Sequence, residues 1–492
     1  MAQMTAQMTD TPAQPAAVRG GVVHGVSQQA LPLIATLYLF SMIIPMVISV
    51  GPIALSMYRL ILLLAFVPLF VNWLSRRYDR IYAGDVLLLA YCAWFFVAMF
   101  YHHGTQHLQG AGQSMVDAFG GFLLARATIR NPTQLKQMSR YLTIAVIVTI
   151  PVAVVEAVTG RLLLNELFRM IPGVSVYYPI YGPRRLGVDR VQGPFEHQIL
   201  YGLFCASALT FAVLLRRRPG SALLTCFASA LSMSTGALMA MVLQIGLLSW
   251  NWVTKAIKKR WRLLIILIIL AYIAVDFLSN RSPIQVFISY ATFNAGSGYW
   301  RLAIWEYGSQ NVIDNPVMGI GMNTWERPNW LHSGSVDNFW LVIAMRTGFP
   351  GVLLMMAGFA LVLREVARAK PVDPEVQNCQ RAWMITVISL FVAAGTVHVW
   401  NGMYSFLFFL VGSGLWIVDY ARREALQDPE AAAAPEAPVL RGHARWVHGR
   451  PGEDDAGAGE APAAVEPAAP TMHGDPVEAL RAARRRRDRT PR

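Results

Sequence analysis

Residues 221–250 read SALLTCFASALSMSTGALMAMVLQIGLLSW. A helix needs roughly 20 apolar residues to cross about 30 Å of hydrocarbon. This stretch is too long for one ordinary span, and Ser232, Ser234, Thr235 and Gly236 interrupt it near its centre. Whether it crosses once or twice sets the topology, and the flanking charges decide between the two because basic loops collect on the cytoplasmic side. Arg76, Arg77 and Arg80 mark that side. Arg126, Arg130, Lys136 and Arg140 mark it again two spans later, and Arg216 to Arg218 two spans after that. The next basic loop, Lys255 to Arg262, joins them only if 221–233 and 236–250 form a hairpin of two short helices.

Working outward, further apolar stretches lie at about 31–50, 53–74, 84–101, 109–125, 141–159, 197–215, 262–279, 338–363, 382–399 and 402–420. With the hairpin they predict about twelve transmembrane helices. The expected fold is an all-α, polytopic membrane protein with both termini cytoplasmic. Its membrane domain covers 30–420, with two larger periplasmic loops at 160–196 and 280–337. Residues 1–29 are Gln-, Ala-, Thr- and Pro-rich and lack the basic start and cleavage site of a signal peptide, so they read as a disordered cytoplasmic arm. Residues 421–492 are rich in Ala, Pro and Glu and end in an Arg cluster, which reads as a disordered cytoplasmic tail whose end suits anionic lipid.

Composition agrees with the membrane reading. Only 14% of the 492 residues are charged and 55% are hydrophobic, whereas a soluble fold has about a quarter charged. The net charge of +13 does not point to nucleic acid, because the tail is neutral, with 12 basic and 12 acidic residues. All of the excess therefore belongs to the hydrophobic part. Cys92, Cys205, Cys226 and Cys379 form neither a metal spacing nor a disulfide framework.

A few polar residues stand out against this background. Arg184, Arg185 and Arg190 fall in an outer loop, where the positive-inside rule does not ask for them. They suit a bound anion, or else lipid headgroups and pairing with Asp189 and Glu196. Arg301 and Trp305 share a face if 297–305 is helical. His332, Asp337 and Asn338 precede a late apolar run, where Asp337 also suits a plain helix N-cap. That run contains Arg346-Thr-Gly-Phe-Pro-Gly351, a charge and helix breakers in a span, which predicts a bent helix lining a polar cavity. Among the other charges in or near spans, Asp117 and Glu156 are the better candidates for buried partners. His102, His103 and His107 lack the acidic complement of a metal site.

Taken in order, several motifs form one pattern. They are the outer Arg loop running into Gln192-Gly-Pro-Phe-Glu-His197, the Ser-x-Ser-x-Gly hairpin at Ser232 to Gly236, Arg301-x-x-x-Trp305, Gly319-x-Gly321, and the polar pair leading into Phe339 and Arg346 to Gly351. The pattern resembles the bacterial O-antigen ligase and O-antigen polymerase superfamily, including exopolysaccharide polymerases, over roughly 31–420. The resemblance implies transfer of a saccharide from an undecaprenyl-diphosphate-linked oligosaccharide at the periplasmic face of the inner membrane. The acceptor is the growing saccharide in a polymerase and the lipid A core in a ligase. No metal, cofactor or nucleotide sugar is implied. Arginines hold the diphosphate, one from Arg184, Arg185 or Arg190 and the other Arg301. Membrane lipids and polysaccharide chain-length and export proteins are the implied partners.

One position departs from the pattern. Ligases commonly place His before Asn at the mouth of the late span, and this chain has Asp337 before Asn338. Asp337 is then the favoured base or acceptor-orienting group and His332 the alternative, with Asn338, Arg346 and Trp305 as cavity-lining candidates. The substitution puts a repeat-unit polymerase ahead of a ligase. A transporter or flippase of lipid-linked saccharide is the non-enzymatic alternative, although the inverted repeat expected of such a carrier is not evident.

Overall fold

The computed structural model describes residues 30–427 except 51–52, 179–183, 186, 284 and 287–294. The terminal arm at 1–29 and the tail from 428 onward, with their expected disorder, lie outside the described residues.

The chain is a multi-pass helical membrane protein. Among the described residues, eight helices are long and apolar enough to cross a membrane: Met57–Leu74, Ala83–His103, Pro132–Thr159, Gln198–Arg216, Thr235–Val253, Arg260–Leu278, Phe339–Arg368 and Asn401–Gln427. This corrects the expectation of about twelve. The other four stretches are helical, but short or interrupted. Within 31–50 the helix stops at Ser41, and Met46–Val50 turns back on Ile53–Ser56 as an antiparallel hairpin. The cause is local: Pro45 removes a helix donor, and the β-branched Val47, Ile48, Val50 and Ile53 favour strand. Ser175–Val176 completes a three-stranded sheet, a small β element in an otherwise helical fold. The stretch near 109–125 opens with a polar helix, Leu108–Met115, and is broken by a π-turn at Val116–Gly120 before Gly121–Thr128. Pro219–Leu231 is apolar but has only 13 residues, about 20 Å of helix. Pro374–Ala394 spends its first two turns on Glu375, Gln377, Asn378, Gln380 and Arg381.

The predicted hairpin break falls where the sequence puts it, between Leu231 and Thr235. Ser234 caps the second helix by accepting from Ala237 N–H at 3.5 Å. Met233 takes a left-handed conformation, with φ of 47°. Gly202 and Gly236 permit the close packing, since a Cβ on Gly202 would strike Ser232 and one on Gly236 would strike Val397. Helix starts elsewhere follow the usual chemistry. Asn131 and Asp373 cap helices whose first residue is proline.

The late span bends as its breakers predict. Gly348 sits at φ 68°, outside helical space, and Pro350 follows it. The backbone groups released there are met by the Gly-punctuated segment upstream. Ile320 N–H donates to Met345 O at 2.7 Å, Gly321 N–H to Arg346 O at 3.2 Å, and Phe349 N–H to Pro316 O at 2.8 Å. Broken helices at membrane depth need such protein partners because lipid supplies none. Gly319 and Gly348 both have positive φ, and a Cβ on either would collide with the backbone of the other segment. The Gly319-x-Gly321 motif thus builds this joint.

Buried ion pairs tie the spans together at two places. Arg59 Nε donates to Asp117 at 2.9 and 3.2 Å, with Tyr58 OH also bound to the guanidinium. Elsewhere buried Arg126 pairs with Asp85 at 3.3 Å and Asp419 at 3.7 Å, while at a more exposed position nearby Arg130 and Arg423 share Asp79. In contrast, no residue of Arg260–Leu278 is buried against the chain, so this helix, apolar on every side, is left to lipid.

Candidate functional site

The arginine loop is fastened at its downstream end, residues 189–193, by hydrogen bonds from its backbone. Glu156, in the last turn of Pro132–Thr159, accepts from Gln192 N–H at 2.7 Å and Gly193 N–H at 3.0 Å. Asp189 N–H donates to Ala157 O at 3.1 Å, and Val191 N–H to Leu231 O at 3.2 Å. Glu156 is therefore a clamp for the loop, a buried carboxylate satisfied by backbone donors. Glu196 is held in turn by Asn401 Nδ2 at 2.7 and 2.8 Å.

The three arginines meet different surroundings. Arg184 is exposed and forms a two-point pair with Asp189, at 2.9 Å for each bond. Arg185 donates from Nη1 to Met233 O at 2.6 Å and so braces the Ser232–Gly236 hairpin. Arg190 is largely buried, and its Nε has no hydrogen-bond partner among the described residues. Burial, with Arg185 adding like charge and Asp337 opposing, pushes the Arg190 guanidinium down to about 10, which leaves it cationic at neutral pH.

Arg301 joins the same group from the helix Ala295–Asp314. Burial lowers it from the ordinary arginine value, Asp337 opposes that shift and Arg185 adds to it. Arg190 and Arg301 thus each lie within the fields of Arg185 and Asp337. Arg301, Trp305, Asp337 and Asn338 line a cleft with Ile304, Leu341, Gly395 and Thr396. It encloses about 10 Å³, room for about one water.

Asn338, not Asp337, caps the late span, its Oδ1 accepting from Leu341 N–H at 3.1 Å. The Asp337 carboxylate is spared that duty and accepts a 3.3 Å bond from Ser335 Oγ. His332 is exposed and does not line the cleft. Arg346 does not line it either. It lies deeper in the same span, within the fields of Tyr91, Tyr404 and His398.

Two histidines complete the surroundings. His197 caps Gln198–Arg216, its Nδ1 accepting from Ile199 N–H at 3.1 Å, and burial together with Arg190 pushes it down to about 4. Its ring lies 5.5 Å from Trp400, which stacks at 5.3 Å on His398. Burial and Arg346 push His398 down to about 3. His398 carries no signal in sequence, being one imidazole at the end of an apolar run. The clamping role of Glu156 likewise depends on a partner 36 residues away.

Among the described residues, no group of three or more His, Cys, Asp or Glu side chains lies together to hold a metal ion. The histidines at 102, 103 and 107 pack near the joint, where His103 Nε2 accepts from Met322 N–H at 2.9 Å.

Residues 220–356, less than a third of the chain, match the O-antigen ligase family. The matched segment runs from the Ser232–Gly236 hairpin through Arg301, the Gly319 segment and Asp337 to the bent late span. No curated protein matches the chain.

Proposed function

We propose that the chain transfers a saccharide from a lipid diphosphate carrier, such as undecaprenyl diphosphate, to an acceptor hydroxyl at the cleft lined by Arg301 and Asp337. What carries this reading is the placement of half-buried, cationic Arg190 and Arg301 within the field of Asp337. A buried guanidinium N–H without a partner is costly unless an anion meets it. Arg190, through its unpartnered Nε–H, is therefore assigned to the diphosphate, Arg301 beside Asp337 in the cleft is its second cation, and Arg185 braces the hairpin and contributes positive field.

As the bond from the anomeric carbon to the diphosphate breaks, its electron pair leaves on the diphosphate oxygen. Fixed guanidinium groups donating paired hydrogen bonds favour that developing charge. The acceptor oxygen attacks the anomeric carbon from the opposite side, which inverts its configuration, and its proton passes to the Asp337 carboxylate. A cleft with room for one water does not admit a sugar, so donor entry moves Ala295–Asp314 away from the start of the late span. The cleft faces the periplasm and both termini are cytoplasmic, because the Lys and Arg excess gathers at the other helix ends.

The family match favours a ligase that delivers saccharide to lipid A core. The repeat-unit polymerase remains as a second reading because Asp337 stands before Asn338 where ligases commonly carry His. Chain-length and export proteins are partners under that reading. The deciding assay reconstitutes the full chain with undecaprenyl-diphosphate-linked oligosaccharide, with and without lipid A core. Product formed only with core identifies a ligase, and elongation without core identifies a polymerase. No product under either condition overturns the enzymatic reading. Arg301→Ala is expected to cut turnover by about 100-fold or more while the chain still inserts in the membrane. Full turnover in that variant removes Arg301 from the site.

A further inference from the structure

At the far ends of the two helices that frame the arginine loop lies a second cationic recess. Lys136 and Arg140 project from the first turns of Pro132–Thr159, and Arg216 and Arg218 from the end of Gln198–Arg216 and the residues after it. With Ile144 they line a cleft of about 410 Å³, far larger than the one at Arg301. Arg216 Nη1 is buried there with no hydrogen-bond partner among the described residues. The charges nearest Arg216 are Arg218 and Arg140, both of its own sign. The carboxylate in reach is Glu375, which pairs with Lys136 at 2.6 Å at the rim, where both side chains are 41% exposed.

The backbone is also shaped at this place. Arg217 adopts φ of 50°, a left-handed conformation that non-glycine residues seldom take and that is unfavourable by about 1 kcal/mol or more. It ends the helix and lets the arginines on either side of it line one recess. Four cations drawn together with one rim carboxylate repel each other unless an anion lies between them.

We propose that this cleft is a binding site for a phosphate group, with Arg140, Arg216 and Arg218 as its donors, Lys136 at the rim and Ile144 as an apolar wall. An anionic phospholipid headgroup and a soluble phosphate share that chemistry. The site stands on different residues from the Arg301 cleft and does not depend on the function proposed for it.

The test uses the full chain in neutral detergent. Binding and melting temperature are measured with dioctanoyl phosphatidylglycerol, dioctanoyl phosphatidylcholine and inorganic phosphate. The expected result is saturable binding of the glycerol lipid over the choline lipid. That binding should weaken about tenfold or more in the double variant Arg140→Gln, Arg218→Gln and stay unchanged in Arg77→Gln, which removes a cation on another basic loop. Inorganic phosphate that binds and competes identifies a soluble anion as an occupant, whereas lipid binding that phosphate does not displace identifies the headgroup. Should the double variant fold poorly, Arg218→Gln alone, at an exposed position, carries the comparison. An equal loss in Arg77→Gln, or no preference for either phosphate source over phosphatidylcholine, overturns the proposal.

Discussion

Arg184 and Arg190 are near neighbours in sequence, yet only one is prepared for an anion. Asp189 already neutralises Arg184 in the open, where an ion pair contributes little. Arg190 is held in a half-buried position by a loop that Glu156 clamps, with Nε left without a partner among the described residues. Arg184→Ala is therefore expected to keep turnover within about twofold of the parent. Arg190→Ala should lower it by about 100-fold or more, and Arg190→Lys should recover only part, since an ammonium cannot present two parallel donors. Equal losses in the two alanine variants count against the assignment. Asp337→Asn tests the proton acceptor, because it keeps the shape and removes the basic oxygen. Turnover should fall by about 100-fold or more with little change in KM, and Asp337→His should restore part of it. Unchanged turnover in Asp337→Asn removes the proton-transfer role. The neutral histidines set a pH limit on stability. An unfolded chain protonates His197 near pH 6.5, whereas the folded chain resists until about pH 4. Stability is thus lost as pH falls through that window, by about 1.4 kcal/mol per unit for each such group. His398→Phe, which keeps the stack on Trp400, should lessen the drop in melting temperature over that range. A wild-type drop in this variant excludes His398 as a source.

Among the elements, the joint in the late span is where local sequence and long-range structure are most tightly coupled. The kink at Gly348 frees backbone groups that the 316–321 segment and Trp94 Nε1, which donates to Thr347 O at 2.9 Å, satisfy, and neither Gly319 nor Gly348 leaves space for a Cβ. The obstructing atoms are backbone, so no side chain can turn aside. Gly348→Ala is expected to lower the melting temperature by several degrees and to disturb Asp337, which sits at the start of the same span. A variant of parental stability shows that the joint is more tolerant than its contacts imply. The Arg346 to Gly351 stretch made the bend legible in sequence, because glycine and proline act on the residue's own backbone. The Gly319 partner was not legible, since its glycines serve a contact with a distant segment. The strands at 46–56 were hidden for a related reason. Val, Ile and Leu serve a lipid-facing helix and a strand equally well, and Pro45 decided between them. Asp117, Glu156 and the outer arginines stood out as costly polar residues. Their partners, Arg59, the Gln192–Gly193 backbone and Asp337, followed only once the helices were packed.

On the scale of the whole molecule, the two ends of the helical array differ in charge, and this makes the orientation testable. One end holds Arg76, Arg77, Arg80, Arg126, Arg130, Lys136, Arg140 and Arg216 to Arg218, of which Arg126, Arg130 and Lys136 are met by Asp85, Asp419, Asp79 and Glu375. The other holds Arg184, Arg185, Arg190 and Arg301, with Asp189, Glu196 and Asp337 among them. An excess of unpaired cations belongs on the cytoplasmic side, where membrane potential and anionic lipid both favour it. Correcting the count of long apolar helices from about twelve to eight leaves this argument intact, because it rests on which ends share ion pairs and not on a tally of spans. Cysteine labelling checks it directly. His332→Cys is exposed at the Arg301 end and Arg77→Cys at the other. Cys92, Cys205 and Cys379 are buried, so a Cys226→Ser background supplies little signal of its own. In spheroplasts, a membrane-impermeant maleimide is expected to label the 332 variant at once and the 77 variant only after lysis. The reverse pattern would place the diphosphate cleft on the cytoplasmic side and overturn the proposed periplasmic transfer. Labelling of both variants before lysis would place both ends outside the cytoplasm and remove the charge argument for orientation.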